Sequence, residues 1–505
     1  MLQKAIEWIH RNHLQAQAVP VTHRKKIPYP EVTGYYIPTL LTIGEIQLAE
    51  QFARWLVSVQ NPDGSFSLDN PTISYVFDTG QVIRGWVSII DRLPELADPL
   101  MRACDWIIRG ADPLTGRLQF PAPGGDWSLG GRGEVNEAIH LYVLQPMREA
   151  AEKLNVPYMH KSVDKALSYY LANCSITNFQ MPNALTHFYT YIQEALFELG
   201  CFAEVQRGMA AVAAYQQASG AVPGYHDVQW VCSTGLAQLA KVWYLLGDIA
   251  RADKAMDFLS QLQNASGAFY GSYGVSATYF PTEEISWGVK YCIDAEQLRI
   301  ARHFDQTAYQ YNSTISLQDG RVQAIFSEMA ETENVLDVGC GKGRYATLIK
   351  QNFPQVEVHA VDISEEMLRC IPAHIHTKKA SIQDLPYADA SFDLVFCVEA
   401  LEHALNPEAA IQEMVRVLRP GGRLVIIDKN KARLGALQIE SWEKWFDIQE
   451  LSTYLQSLHL KTRAEWVSYD GHSADGLFVA WVATKSPILT GHNPRLESDH
   501  VRASI

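Results

Sequence analysis

Asn334-Val-Leu-Asp-Val-Gly-Cys-Gly-Lys-Gly-Arg-Tyr345 decides the fold of the C-terminal part of the chain. Val335–Val338 reads as a short buried strand. Three glycines at alternate positions follow it: Gly339, Gly341 and Gly343. Such glycines let a backbone turn tightly and lie against a ligand. A helix is expected from Tyr345 to Gln351, then a second strand in Val356-Glu-Val-His-Ala-Val-Asp-Ile363. Asp362 closes that strand nineteen positions after Gly343, where a carboxylate suits the two hydroxyls of a ribose. This order predicts an α/β Rossmann-like domain that binds a nucleoside-bearing cofactor. The turn is Gly-x-Gly-x-Gly, where a dinucleotide site would show Gly-x-Gly-x-x-Gly, and Asp337 precedes it. An acidic residue there suits a ligand with an ammonium and a sulfonium better than one with a diphosphate.

The stretch resembles motif I of the class I S-adenosylmethionine-dependent methyltransferases, and further segments follow in that family's order. Ser381-Ile-Gln-Asp-Leu-Pro386 resembles the segment whose Asp meets the adenine amino group. Phe392-Asp-Leu-Val-Phe-Cys-Val-Glu-Ala-Leu-Glu-His403 resembles the fourth strand and its loop. Leu418-Arg-Pro-Gly-Gly-Arg-Leu-Val-Ile426 resembles the turn into the fifth. The resemblance is nearest to the small-molecule enzymes of ubiquinone and menaquinone biosynthesis. Their upstream Tyr-Asp or Phe-Asp is matched by Phe304-Asp305. Tyr309 or Tyr311 would then close over the methionine end, or these aromatics dock the first helix. The resemblance implies S-adenosylmethionine as cofactor and no metal. Its expected contacts are Tyr309, Asp337, Gly339, Cys340, Gly341, Gly343, Asp362, Ile363, Gln383, Asp384, Leu385, Val398 and Glu399.

Methyl transfer needs donor and nucleophile in line and, for a hydroxyl, removal of a proton. His403 is a candidate general base, since imidazole titrates near neutrality. The resemblance equally gives the Glu402-His403 pair a part in shaping the cofactor pocket. Val398-Glu-Ala-Leu401 stands where enzymes that methylate the adenine amino group carry Asn/Asp-Pro-Pro-Tyr/Phe, so base methylation is not expected.

Before about residue 298 the rhythm is different. The pattern is helical throughout and it repeats. Gln60-Asn-Pro-Asp-Gly-Ser-Phe66 recurs as Gln263-Asn-Ala-Ser-Gly-Ala-Phe269, with weaker copies at Gln217-Ala-Ser-Gly-Ala-Val222 and Asp112-Pro-Leu-Thr-Gly-Arg-Leu118. The turn glycines are Gly64, Gly116, Gly220 and Gly267. A period near fifty suits helical hairpins that stack openly or close into a ring. The motif resembles the glutamine–aromatic turn of triterpene cyclases and related α/α-toroid proteins, which implies an all-α toroid. The cyclases' chemistry is not implied, because the chain contains no Asp-Asp dipeptide. Toroid glycosidases and lyases use carboxylates or Tyr and His. Candidates here are Asp78, Asp126 with Trp127, Glu134, Glu137, His187 with Tyr189 and Tyr191, and Glu283-Glu284. Each equally reads as a cap, surface or core residue. Thr33-Gly34, Thr79-Gly80 and Thr234-Gly235 recur near helix starts. Their unpaired amides are expected to make a polar rim, with Asp78, His187, Tyr191 and Glu194 facing it.

The expected organisation is therefore multidomain: residues 1–298 a toroid, 299–485 a methyltransferase domain and 486–505 a flexible tail. The formal net charge of −14 disfavours nucleic acid as a partner. No apolar run is long enough to span a membrane. The eight cysteines form no Cys-x-x-Cys pair and imply a reducing, cytoplasmic setting without structural zinc. Three functions remain open. The toroid binds a small-molecule or glycan acceptor for the methyltransferase, is itself a carbohydrate hydrolase or lyase in a bifunctional chain, or recruits a partner without catalysis. Acceptor identity and oligomeric state are not encoded in any motif.

Overall fold

The computed structural model describes residues 1–15, 17–67, 74–118, 137–181, 184–440 and 442–486. Asp126, Trp127, Glu134 and the tail beyond 486 lie outside them. The chain divides into two units, Met1–Thr307 and Ala308–Ile505. The division falls after Thr307 and not after 298, because one unbroken helix, Ser286–Thr307, runs through the expected boundary. Phe304 and Asp305 belong to that helix.

Among the described residues unit 1 has twelve α-helices. They are α1 (Leu2–Asn12), α2 (Pro30–Thr42), α3 (Ile46–Val59), α4 (Val76–Ile89), α5 (Ala97–Gly110), α6 (Leu141–Lys153), α7 (Pro157–Asn173), α8 (Thr186–Glu198), α9 (Phe202–Ala213), α10 (Ser233–Leu246), α11 (Ile249–Leu262) and α12 (Ser286–Thr307). Pro30 and Pro157 open their helices, where a missing N–H costs nothing. The even-numbered helices are buried on nearly every side over their first turns, whereas the odd-numbered ones bury a single stripe. Each even helix packs on the next, from α2 through α12, and α12 packs on α2. Each also packs on an odd partner. For α12 that partner is α1, brought from the other end of the sequence.

The repeated turns join successive odd helices. Gln60 Nε2 donates to Gly64 O (3.1 Å) and to Pro99 O of α5 (2.9 Å). Gln263 Nε2 donates to Gly267 O (2.8 Å) and Met1 O (2.9 Å). In the third copy the tying residue is Gln216 and not Gln217: its Nε2 reaches Gly220 O (3.4 Å) and Arg251 O (3.0 Å). All four turn glycines have positive φ, and a Cβ on any of them would strike the backbone of a following odd helix, at 2.3 Å for Gly64 and 2.0 Å for Gly267. The aromatic of the motif is core: Phe66 and Phe269 are fully buried.

The Thr-Gly pairs do something other than build a rim of free amides. Thr33 Oγ1 accepts from Val19 N and Thr79 Oγ1 from Phe66 N, tying each connection to its helix. Their glycines let neighbouring even helices touch, since a Cβ on Gly34 would lie 2.5 Å from Gln81 O and one on Gly235 2.3 Å from Thr186 Oγ1. Helix starts therefore stand beside helix starts, and the even helices run parallel.

Unit 2 holds a seven-stranded sheet, ordered β5-β4-β3-β6-β7-β9-β8. Its strands are β3 (Asn334–Val338), β4 (Glu357–Asp362), β5 (His376–Lys379), β6 (Phe392–Val398), β7 (Leu418–Lys429), β8 (Leu460–Val467) and β9 (Phe478–Lys485); β1 (Val231–Cys232) and β2 (Ser272–Tyr273) form a short pair in unit 1. Strands β3 to β7 pair in parallel, and β9 runs antiparallel to both β7 and β8. Helices α13 (Gly320–Phe326), α14 (Arg344–Asn352), α15 (Glu365–Leu368), α16 (Pro407–Val417) and α17 (Ile448–Ser457) accompany it. Apolar side chains cover both faces of the central strands, as a parallel sheet requires. Strand order reverses at β3, which places a crevice at its carboxyl end. No helix among the described residues is long and apolar enough to cross a membrane.

Candidate functional site

The glycine loop leaves the carboxyl end of β3 at that reversal. Gly339 N and Cys340 N both donate to Val361 O, at 2.9 and 3.0 Å, and lock the loop to β4. Gly339, Gly341 and Gly343 all have positive φ. A Cβ on Gly339 would lie 2.3 Å from Ala400 Cβ, and one on Gly343 2.9 Å from Ile371. One on Gly341 would meet nothing within 4 Å. The loop is thus packed at both ends and open in the middle, a cradle for a ligand. Asp362 stands beside it: Oδ2 accepts from Gly341 N (2.8 Å) and Oδ1 from Ser364 N (2.8 Å). Ile363 follows, half-buried.

Asp337 lies beneath the loop, 1% exposed, and accepts the N–H of Ala346 in α14. Burial pushes its carboxyl up to about 8, the Ala346 N–H opposing and the nearby Asp362 adding. Gln383 Oε1 accepts from Leu405 N (2.8 Å) and Asn406 N (3.3 Å), joining the segment after β5 to the turn after β6. Asp384 beside it is half-buried, and the Leu385 side chain lies in the core. The Val398 side chain is also core. Tyr309 is 79% exposed, while the Tyr311 carbonyl accepts from Lys342 Nζ (2.9 Å) and lays that segment beside the glycine loop.

Glu399 has φ +51°, a strained value for a non-glycine residue. Two arginines hold its Oε1: Arg321 Nη1 at 2.6 Å and Arg344 Nη2 at 3.0 Å. Arg321, on α13, also forks onto Asp319 and reaches Asp470. Sequence reasoning missed Arg321 and Asp470, which lie far from the motif. Arg344 stood inside the quoted stretch, and its place after the last glycine was the available signal.

A second cluster follows β6 and β7. The turn Leu401–His403 is held by Asp428, whose Oδ2 accepts from Glu402 N (3.1 Å). Burial, with Glu402 adding, drives the Asp428 carboxyl well above its usual range. His403 Nε2 lies 3.3 Å from Glu402 Oε1, and Lys429 Nζ lies 2.6 Å from the same atom. Burial alone would raise Glu402, but His403 and Lys429 outweigh it and hold the carboxyl low. Glu402, His403 and Glu443 offer ligand atoms within 4.8 Å of one another. The Lys429 ammonium, 3.8 Å from Glu443, already supplies positive charge there.

In unit 1, Asp78, His187, Tyr191 and Glu194 are all buried on even helices. Glu137 pairs with Arg117, Glu283 accepts from Thr22 Oγ1 (2.6 Å), and Glu284 accepts from Trp8 Nε1 (3.0 Å) and Asn264. Tyr189 donates to Thr177 O and Gly208 O. Burial pushes His187 down to about 3, although Gln238, 2.6 Å from its Nδ1, opposes this. The unfolded chain then binds a proton near pH 6.5 that the folded chain refuses until about 3, so this residue's linkage destabilises unit 1 as pH falls through that window. From pH 6.5 to 4.5 the wild type should lose about 2–3 kcal/mol more than His187→Gln. Urea unfolding at the two pH values measures it, and parallel losses would exclude a buried neutral imidazole.

Residues 336–426 match the family model described as a methyltransferase domain. A malonyl-[acyl-carrier protein] O-methyltransferase of Hahella chejuensis is 34% identical over 138 residues, 26% of this chain and 49% of that protein. A demethylmenaquinone methyltransferase of Deinococcus radiodurans is 39% identical over 101 residues, 19% of this chain and 42% of that protein. The chain spans less than half the length of these curated relatives. Among solved structures, a 1,6-didemethyltoxoflavin-N1-methyltransferase of Burkholderia thailandensis, with bound 1,6-didemethyltoxoflavin and S-adenosylhomocysteine, is 20% identical with a TM-score of 0.31. That match covers 38% of this chain and 89% of that one.

Proposed function

We propose that this chain, which carries an S-adenosylmethionine-dependent methyltransferase domain in unit 2, methylates a hydroxyl of a small molecule or glycan bound with the help of unit 1. The observation that carries the reading is the open middle of the glycine loop beside Asp362. The open cradle and the carboxylate beside it support this cofactor. In this reading Asp362 at the end of β4 takes the ribose hydroxyls, and the segment of Gln383 and Asp384 takes the adenine. Glu399 and Arg344 offer one charge each to the amino-acid end. The bound cofactor supplies a methyl group on a sulfonium. The chain's own residues must orient the acceptor and take its proton. His403 is the group we assign to that step. Glu402 orients its ring through Nε2, and Asp428 fixes the turn that carries both.

The closed succession of even helices, each backed by an odd one, supports reading unit 1 as an α/α toroid. The relatives' names support an oxygen acceptor or a quinone-type small molecule. We place the protein in the cytoplasm on its cysteine usage, no disulfide being present among the described residues.

Isothermal titration should show S-adenosylhomocysteine binding and no comparable binding of NAD. Asp362→Ala should cost about 1.5–3 kcal/mol of that binding, the worth of charged hydrogen bonds. Affinity within about twofold of wild type, against the tenfold expected per 1.4 kcal/mol, would remove Asp362 from the cofactor.

A further inference from the structure

We propose that strand β8 pairs antiparallel with β8 of a second copy of this chain, so that the two sheets join edge to edge across a two-fold axis at Arg463. The proposal concerns assembly and does not rest on the reading of the acceptor.

Strand β8 (Leu460–Val467) ends the seven-stranded sheet, with β9 on one side and no strand on the other among the described residues. An edge strand presents a row of unpaired backbone N–H and C=O groups. Natural sheets defend such rows with short strands, proline, bulges or charges, lysine above all. The opposite edge of this sheet is defended in that way. There β5 is four residues long, His376-Thr-Lys-Lys379, and a copy laid against it would set basic side chains against basic side chains. Strand β8 is twice as long, Leu-Lys-Thr-Arg-Ala-Glu-Trp-Val, with neither glycine nor proline. Its register with β9 runs without a shift from Leu460 to Val467. Every residue from Arg463 to Trp466 is exposed. Trp466 is 57% exposed although its ring lies against Gly476, where a Cβ would stand 3.2 Å away. A large aromatic held in place at an open edge is typical of an interface.

The charges of β8 select the partner. Side chains alternate between the faces of a strand, so Lys461, Arg463 and Glu465 share one face and Leu460, Thr462, Ala464 and Trp466 the other. Lys461 and Glu465 are exposed and stand two positions to either side of Arg463. In an antiparallel pair centred on Arg463, each Lys461 lies directly opposite Glu465 of the other copy, and symmetry makes this contact twice. Arg463 then faces its own copy, but its guanidinium is already engaged, Nη2 donating to Glu328 Oε1 at 2.5 Å. On the other face Trp466 stands opposite Leu460, and Thr462 opposite Ala464. Charges of one sign would make this strand repel its copy. Their order, basic before Arg463 and acidic after it, makes the strand complementary to itself when reversed.

Sedimentation of the whole chain over a concentration series should show a monomer–dimer equilibrium, a weak one because an edge pair buries little area. Lys461→Glu and Glu465→Lys should each raise the dissociation constant about fivefold or more, because each sets like charges opposite one another twice. The double variant, with the two charges exchanged, should return to within about twofold of the wild type, since neighbours across an interface are not additive. Backbone amides of β8 should exchange more slowly at concentrations that favour the dimer, and those of β5 should not. S-adenosylhomocysteine binding should be unchanged in all three variants, which certifies their fold. A chain that stays monomeric at every concentration, a dimer indifferent to both single reversals, a double variant as weak as the single ones, or unslowed exchange in β8 would overturn the pairing.

Discussion

Arg321→Met should destabilise unit 2 by about 3–5 kcal/mol, the cost of stripping the partner from buried charge. Arg321 is 1% exposed and joins three distant pieces of chain, beside the hydrogen bond from Asp470 N to Asp319 (2.8 Å). Nε and Nη2 fork onto Asp319, both at 2.9 Å; Nη1 reaches Glu399 and Nη2 reaches Asp470, both at 2.6 Å. Its guanidinium also lies 5.4 Å over the Phe478 ring. Removal leaves Asp319 desolvated and Glu399 with Arg344 alone. Asp470 is largely exposed and adds little to the loss. Lysine should not restore the wild type, because one ammonium cannot reproduce the fork. Glu399 already carries an unfavourable backbone angle, so S-adenosylhomocysteine affinity should fall with stability. Urea unfolding of unit 2 together with titration measures both. A loss under about 1 kcal/mol, the scale of an exposed ion pair, would show that the three carboxylates rearrange freely.

What was legible in the sequence is what depends on neighbours along the chain. The glycine loop, its flanking strand and helix, and Asp362 at the end of the next strand are local, and they assemble as read. The Gln-x-x-x-Gly turn is also local, and its glutamine bonds the turn's own glycine carbonyl and the start of another odd helix. The weaker copy was misaligned by one residue, because Gln216 and Gln217 are adjacent and only the distance to Gly220 separates them. The Thr-Gly pairs were located correctly and misjudged in role. A pattern shows that a position recurs, while only packing shows that Gly235 is there to admit Thr186. The boundary expected near 298 lies within α12, which continues past the last repeat without a breaker until Thr307. Arg321 was invisible: it meets a carboxylate 149 positions away in Asp470, and no periodicity records such a pairing.

Lys241→Met should cost unit 1 a similar amount, about 3–5 kcal/mol. Lys241, on α10, ion-pairs with Glu194 of α8 and lies 3.3 Å from Asp294 of α12. Lys290 holds Asp294 at 2.8 Å, Thr39 of α2 donates to the same residue at 2.7 Å, and Tyr142 of α6 reaches Glu194 at 3.2 Å. One largely buried ammonium, its side chain 17% exposed, thus joins the two carboxylates that five of the six even helices contact. Burial would raise Glu194, but Lys241, Lys290 and Arg84 outweigh it and keep the carboxyl low. Without Lys241 that balance tips, and the folded protein gains by binding a proton at Glu194. The raised folded pKa means that the variant recovers stability as pH falls, so its deficit should be smaller at pH 5 than at pH 7. Lys241→Met with Glu194→Gln should likewise recover part of the loss, since the uncompensated charge is then gone. A deficit independent of pH, and undiminished in the double variant, would mean that Lys241 matters for the packing of its methylene chain and not for its charge.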